Sequence, residues 1–560
     1  MRRHPFRHPR VRPRPSRRVA ALAVPLLLAA ALGGCDGCRR PAGGAADDGA
    51  GDGTPRRGGQ VVIALTSDVG AVNEVIVPAT VPTAEVLRRM FLPLVEEMPD
   101  YRTVEPRLAE SWEFSDDRKT LTFRLRDDVV WSDGVPVTAR DVEFTYRAWT
   151  DPDVAWGGAF TVEAVERVEV IDERTVAFHF ERAYASQLLD VGAGALILPA
   201  HAWGELPFSE WRASADWFRE NLVVDGPFRL ASWAPQHEIV LERNPLYYEE
   251  GLPYLDRVIF RVVPDQTSQL TQLLNGEVDF VFQLSPDDVA RVEAADDVEL
   301  VTYWSRGVIF IGWNLSKPPF DDARVRRALT LGIDRPTLID SIWGRFARPL
   351  ASPIVPEMVP GAAGRFEPLP YDPERARALL AEAGWEDRDG DGVREKDGRP
   401  LAFTLITNTG NRQREDALVI LQDQLRRVGV AIEPRALEFN TLVGQVTSGA
   451  YDAVITAWVM PTTLDYRFAY ATSEIGGSNF VGYSDPRMDA LLTEMREAPD
   501  REAMRPYLAE MHEIQQRDQP YTFLWQSQRI SGIRERVHGA EPNHLYSLFD
   551  LREWWVGPER

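Results

Sequence analysis

The chain reads as an α/β protein of several domains, and three observations predict this. From about residue 400 onward, apolar strands alternate with amphipathic helices. A strand over 401–407 precedes a helix over 411–428, then a strand over 430–433, another helix, and a strand over 453–458. Such repetition predicts a mostly parallel sheet with helices on its faces, joined by right-handed crossovers. Residues 100–220 instead show period-two hairpin patterning, which predicts an antiparallel unit. Finally, 560 residues are more than one hydrophobic core serves.

The N-terminus differs from the rest. Eight Arg and no acid occur up to Gly34. Residues 19–32 are an apolar run interrupted by Pro25, too short for a comfortable membrane span and flanked like a signal peptide. Leu32-Gly33-Gly34-Cys35 resembles a bacterial lipobox, so Cys35 is expected to carry a diacylglycerol and residues 1–34 to be removed. Residues 35–59 have almost nothing to bury and predict a flexible tether, with a root-mean-square reach of about 25–30 Å. Loss of residues 1–34 lowers Lys plus Arg from 63 to 55 against 85 acids, a formal charge of −30. Binding of nucleic acid needs a basic footprint, and this balance excludes it. Cys35 and Cys38 are the two cysteines, so no disulfide is expected inside the folded body.

The body opens with a strand from Gln60 and a helix starting at Pro82, with Val86, Met90 and Leu94 behind it. Asn73 and Glu74 lie in the loop between them. Leu121, Phe123 and Leu125 alternate with polar residues, Asp133-Gly134 turns the chain, and Thr138 with Asp141 forms a helix-start signature before Val142, Tyr146 and Trp149. Val168, Val170, Val176, Phe178 and Phe180 predict a second hairpin around Asp172-Glu173. Further strands are expected at 257–262, 278–282 and 308–314. Asp372-Pro373 starts a helix that Gly384 closes. Asp387, Asp389, Asp391 and Gly392 imitate a calcium loop, but position 12 is Gly398 rather than Glu, so an acidic hairpin is the better reading and no metal is assigned.

Several stretches carry a resemblance. AESWEFSDDRKTLTFRLR, WSDG and TARDVEFTY stand in one ungapped order. VDGPF follows at 224–228, then RNPLYY, FDD with VRRAL at 320–329, NFVGYSDPRMD at 479–489, and PYTFLWQSQ at 520–528. Together they resemble the oligopeptide-binding family of solute-binding proteins (family 5) that serve ATP-driven ABC importers. The resemblance implies a two-lobed periplasmic-binding-protein fold, type II, of the large peptide-binding subclass, with an extra peripheral α+β domain. It places lobe I at 60–99, 221–305 and 528–560, the peripheral domain at 100–220, and lobe II at 306–527. It further implies a cleft that captures a small solute, a peptide by family prevalence, and hands it to permease subunits. A monomer outside the cytoplasm, touching the membrane through its lipid alone, is expected.

The resemblance also nominates ligand-binding residues. Trp313 and Asn314 lie at the expected crossing between lobes. In peptide-binding members a strand ending in Gly-Trp leads to a loop Asp that pairs with the peptide ammonium. Here that strand ends in Trp458, and the Asp position is Pro461. Met460, Thr462 and Asp465 share the loop, with Asp465 either replacing the missing anchor or capping a helix. Asn479, Tyr483 and Asn73 complete the candidates. No Gly-x-Ser-x-Gly, His-Glu-x-x-His or P-loop occurs, so neither an enzyme nor a cofactor is expected. Sugars, opines and a sensory or chaperone-like role stay open.

Overall fold

The computed structural model describes residues 54–77, 80–194, 196–359, 361 and 364–557. The expected signal peptide, Cys35 and most of the tether lie outside these residues.

An eleven-stranded sheet is the frame. Its order begins Ala431–Leu437, Ala402–Asn408, Ala453–Val459, Val298–Trp313 and Tyr521–Arg534. It continues through Phe280–Val281, Gln60–Leu65, Arg257–Val262, Glu238–Arg243 and Phe228–Ala234, while Ala347–Pro349 pairs beside Tyr521–Arg534. The expected parallel pairing appears where helices supply crossovers: Ala402–Asn408 runs parallel to both Ala431–Leu437 and Ala453–Val459. Gln60–Leu65 likewise runs parallel to Arg257–Val262 and Phe280–Val281. The centre is antiparallel, because Val298–Trp313 pairs with its neighbours on both sides that way. A mostly parallel sheet therefore describes the flanks and not the middle.

Two long strands run through both halves of this sheet. Val298–Trp313 has 16 residues and Tyr521–Arg534 has 14, and they pair antiparallel. The expected strand at 308–314 is the second part of the first of them. Their register slips between Trp304, opposite Gln528, and Val308, opposite Gln526, so residues 305–307 face Ser527 alone. Extra residues interrupt a ladder and bend the strand that carries them. Ser305 Oγ donates to Ser527 O at 2.8 Å, and Gln526 Nε2 donates to Ser305 O at 2.6 Å, satisfying polar groups that the slip leaves without ladder partners.

A separate four-stranded antiparallel sheet, Ala109–Phe114, Thr120–Leu125, Thr175–Phe180 and Val165–Val170, carries the hairpins read from the alternation. The helix Ala139–Thr150 packs with it. The Asp141 carboxylate accepts Thr138 N at 2.8 Å and Ala200 N at 2.8 Å, so the helix-start signature also ties two segments together. The recurrent FDD and VRRAL stretch is structural: buried Arg326 donates to Phe320 O at 2.7 Å and to Asp518 O at 2.9 Å. The acidic loop is a hairpin whose carboxylates turn onto its own backbone. Gly390 N and Gly392 N donate to Asp387, and Asp391 N donates to Asp389.

VDGPF is held by close approach. Asp225 Oδ1 accepts Leu92 N at 2.9 Å. A Cβ added at Gly226 would sit 2.6 Å from the Met90 carbonyl carbon and 2.7 Å from its oxygen. Both are backbone atoms that cannot swing aside. Gly226→Ala is therefore expected to destabilise the protein by about 1–3 kcal/mol, read as a lower denaturation midpoint with unchanged denaturant slope.

Candidate functional site

A cavity of about 740 Å³ lies where three parts of the chain meet. Arg88 and Glu97 come from near the first strand, Phe160, Glu163 and Asp190 from residues 109–220, and Thr462, Asp465 and Arg496 from the second half. The volume falls within the range of roughly 300–1,000 Å³ typical of small-molecule sites.

The strand Ala453–Val459 builds one wall. Alternation turns Val459 toward the cavity, 62% exposed, while Trp458 faces the other way. Trp458 packs on Phe310 with ring centroids 4.0 Å apart, and also meets Phe468 and Tyr521. The loop after it is pinned. Met460 is fully buried, its N donates to Arg306 O at 3.0 Å, and its O accepts Arg306 Nη1 at 2.8 Å. Arg306 lies within the register slip, so this loop is tied directly to the crossing strands.

Charged groups span the cavity. Asp465 accepts Arg467 N at 3.0 Å and Arg467 Nε at 2.9 Å, just ahead of the short helix Arg467–Tyr470, whose N-cap is Tyr466. Arg467 Nη1 reaches Glu163 at 2.8 Å, and Arg496 meets the same carboxylate oxygen. Burial works against the Arg467 charge, but Asp465 and Glu163 hold its guanidinium above the usual arginine range. Burial pushes Glu163 up, yet the bonds from Arg467 and Arg496 win and hold it below the ordinary carboxylate value. Arg501 pairs with Glu97 at 2.7 Å and donates to Thr462 O at 2.5 Å.

The other nominated residues do not line this cavity. Trp313 is fully buried, stacks on Phe320 and donates Nε1–H to Thr522 Oγ1 at 3.0 Å. Asn314 donates to Tyr451 O at 2.8 Å and accepts Ser316 Oγ at 2.6 Å. Asn479 donates to Ala471 O and Tyr483 O and accepts Tyr483 N. Tyr483 donates to Asp518 at 2.7 Å. Asn73 is buried and caps a turn by accepting Val75 N at 3.2 Å. Its neighbour Glu74 accepts Leu196 N at 2.6 Å, and burial raises its carboxyl. Thus Thr462 and Asp465 reach the cavity, while Trp458 and Met460 support it from behind.

Asp190, Glu163, Arg467 and Arg496 escaped the sequence reading. For Asp190 a signal existed: it is the one acid in the apolar run QLLDVGAGALIL, 187–198. It is 7% exposed, lines the cavity and accepts Ser186 Oγ at 2.7 Å. Burial pushes its carboxyl up to about 7, the Ser186 hydrogen bond pulls back, and the nearby Asp465 charge adds to the rise.

Residues 103–479 match the sequence profile described as "Bacterial extracellular solute-binding proteins, family 5 Middle". The chain belongs to this family. Among family 5 relatives, the oligopeptide-binding protein AppA of Bacillus subtilis is 29% identical over 547 residues, 96% of this chain and 98% of its own. The di/tripeptide-binding protein 2 of Pseudomonas aeruginosa is 26% identical, covering 79% of this chain and 84% of its own. The solved structure of Bacillus subtilis AppA with a nonapeptide superposes with a TM-score of 0.78 at 28% identity, over 90% of this chain and 100% of that one. A periplasmic EDTA-binding protein, EppA, reaches 0.80 at 23% identity, over 90% and 98%, and shares the fold. The two-lobed family 5 architecture, with helices flanking a mixed sheet, accounts for the strand order seen here.

The raised Asp190 carboxyl has a consequence for stability. The folded protein keeps a proton that the unfolded chain releases near the ordinary value of 3.8. Stability of the empty protein therefore falls as pH rises from about 3.8 to about 7 on account of this group, and is flat above. Asp190→Asn is expected to melt higher than wild type at pH 8 without ligand, and the gain is expected to vanish toward pH 4. Differential scanning calorimetry across that range checks it.

Proposed function

We propose that this protein is the substrate-binding subunit of an ABC importer, capturing a short peptide in the cavity and delivering it to membrane permease subunits. The observation that carries the reading is a cavity walled by both halves, at the crossing strands, with ion pairs spanning it. Ligand that touches both walls only when they approach shifts the population toward the closed form. Relatives named for oligopeptides and di/tripeptides support the peptide class. Thr462 and Asp465 line the site in this reading, and Trp458 stiffens their loop. The leader and Cys35 support a lipid-anchored protein on the extracytoplasmic face of the membrane.

A second reading is a non-peptide solute. Pro461 replaces the expected acid, and Asp465 is already engaged by Arg467. Fold relatives include proteins solved with agropinic acid and named for EDTA.

Thermal denaturation against pools of defined peptides, opines and sugars separates the two. A ligand present at about 100 times its Kd stabilises by about 2.7 kcal/mol, so a peptide pool is expected to raise the melting temperature and the other pools to leave it unchanged. Trp458→Ala is expected to weaken the responding peptide about tenfold or more, since removing the ring frees the loop above it. Unchanged affinity in titration calorimetry would remove Trp458 from that role.

Cys35→Ala is expected to move the protein from the membrane pellet to the soluble fraction of the expressing bacterium. Retention in the pellet would show that attachment does not depend on this thiol.

A further inference from the structure

The acids on the cavity wall are not equivalent. Glu96 is bound by Arg107 Nε at 2.6 Å, Glu97 by Arg501, Glu163 by Arg467 and Arg496, and Asp465 by Arg467. Two lining acids, Asp190 and Glu474, form no ion pair among the described residues. Glu474 is half-exposed and accepts Ser478 Oγ at 2.8 Å, so water solvates it. Asp190 is enclosed. An ionised carboxylate accepts about four hydrogen bonds; among the described residues Ser186 Oγ donates one at 2.7 Å and the buried Tyr184 hydroxyl lies beside the carboxyl, which leaves it under-bonded. Arg496 is close enough to act on it electrostatically, but the side-chain hydrogen bond its Nη1 makes goes to Glu163 and no ion pair to Asp190 forms.

Burying an under-bonded carboxylate that forms no ion pair is costly. A structural role would not demand it, since Asn or Ser at position 190 could still bond Ser186. Asp465 stands near enough across the cavity for the two carboxylates to repel. A positive group placed between them would relieve that repulsion and contact both walls at once.

We propose that Asp190 is a cation subsite of the cleft, selecting ligands that carry a basic group: an α-ammonium or a lysine-type side chain. This rests on the solute-binding reading above and names its substrate class. Closure on such a ligand supplies the positive partner and the donors that Asp190 lacks.

Titration calorimetry on the full chain with four alanine-based pentapeptides tests it. The amino terminus is free or acetylated, and the central residue is lysine or norleucine. At least one cationic form is expected to bind tenfold or more tighter than the acetylated norleucine peptide, and the arm that does so tells which source of charge is read. Asp190→Asn is expected to shrink that preference to about twofold while leaving the neutral peptide within about twofold of wild type. Asp190→Ser, with its melting transition checked, serves if the Asn variant fails to fold. Equal binding of all four peptides by wild type, or an undiminished preference in the variants, overturns the subsite and leaves the peptide-receptor reading standing. If no peptide binds but spermidine or agmatine does, and the variants lose it, the subsite stands and the peptide reading falls. Silence toward all of these probes overturns both.

Discussion

Everything in this molecule is arranged around two antiparallel strands that pass from one half to the other. Val298–Trp313 and Tyr521–Arg534 lose their ladder at residues 305–307, and the register shifts once more between Ile309 and Phe310. A sheet resists bending where its hydrogen bonds are continuous, and yields where a bulge has already broken them. The slip is furnished with side-chain substitutes: Gln526 bonds Ser305 O and Glu357, and Arg348 bonds Gln526 Oε1 at 3.0 Å. Arg306 holds both backbone groups of Met460, so the cavity loop is tied to the slip.

The same economy governs charge. Most charged side chains lining the cavity are neutralised by a neighbour or by a group on the opposite wall. Glu163 bonds Arg467 and Arg496 across separations of 304 and 333 residues. Such half-exposed pairs contribute little to global stability, but they bias how the two walls sit against each other. A polar guest can exchange with them at small net cost, which suits capture and release better than a rigid apolar socket would.

Much of the fold was legible in the sequence, and less of the site. Periods of two and 3.6 report burial directly, so the hairpins at 120–125 and 175–180 and the helix Arg412–Arg426 were readable. The strand expected at 308–314 begins at Val298 instead, because half-buried positions blur the alternation between 298 and 307. Site residues fared worse for a physical reason. An Asn or Tyr in a loop has the same chemistry whether it bonds its own backbone or a ligand. Asn314, Asn479 and Tyr483 spend their polar atoms on the protein. The ion pairs over the cavity join residues hundreds of positions apart, and no local pattern encodes them. Asp190 was visible as one acid in an apolar run, yet that pattern also describes the polar edge of any short helix.

The contrast between Asp465 and Asp190 decides where selectivity resides. A ligand ammonium binding Asp465 must displace Arg467 or share its carboxylate, giving up contacts at 2.8–2.9 Å already made in the empty protein. The net gain is then a difference between two similar charge-assisted bonds, and is small. At Asp190 no ion pair is given up; what a cationic ligand displaces is the proton that burial holds on the carboxyl up to about pH 7. Above that pH a positive group there meets a carboxylate that no ion pair has yet satisfied. The loop bearing Thr462 and Asp465 thus shapes one wall, while the enclosed Asp190 carboxylate sets which guests are worth closing on.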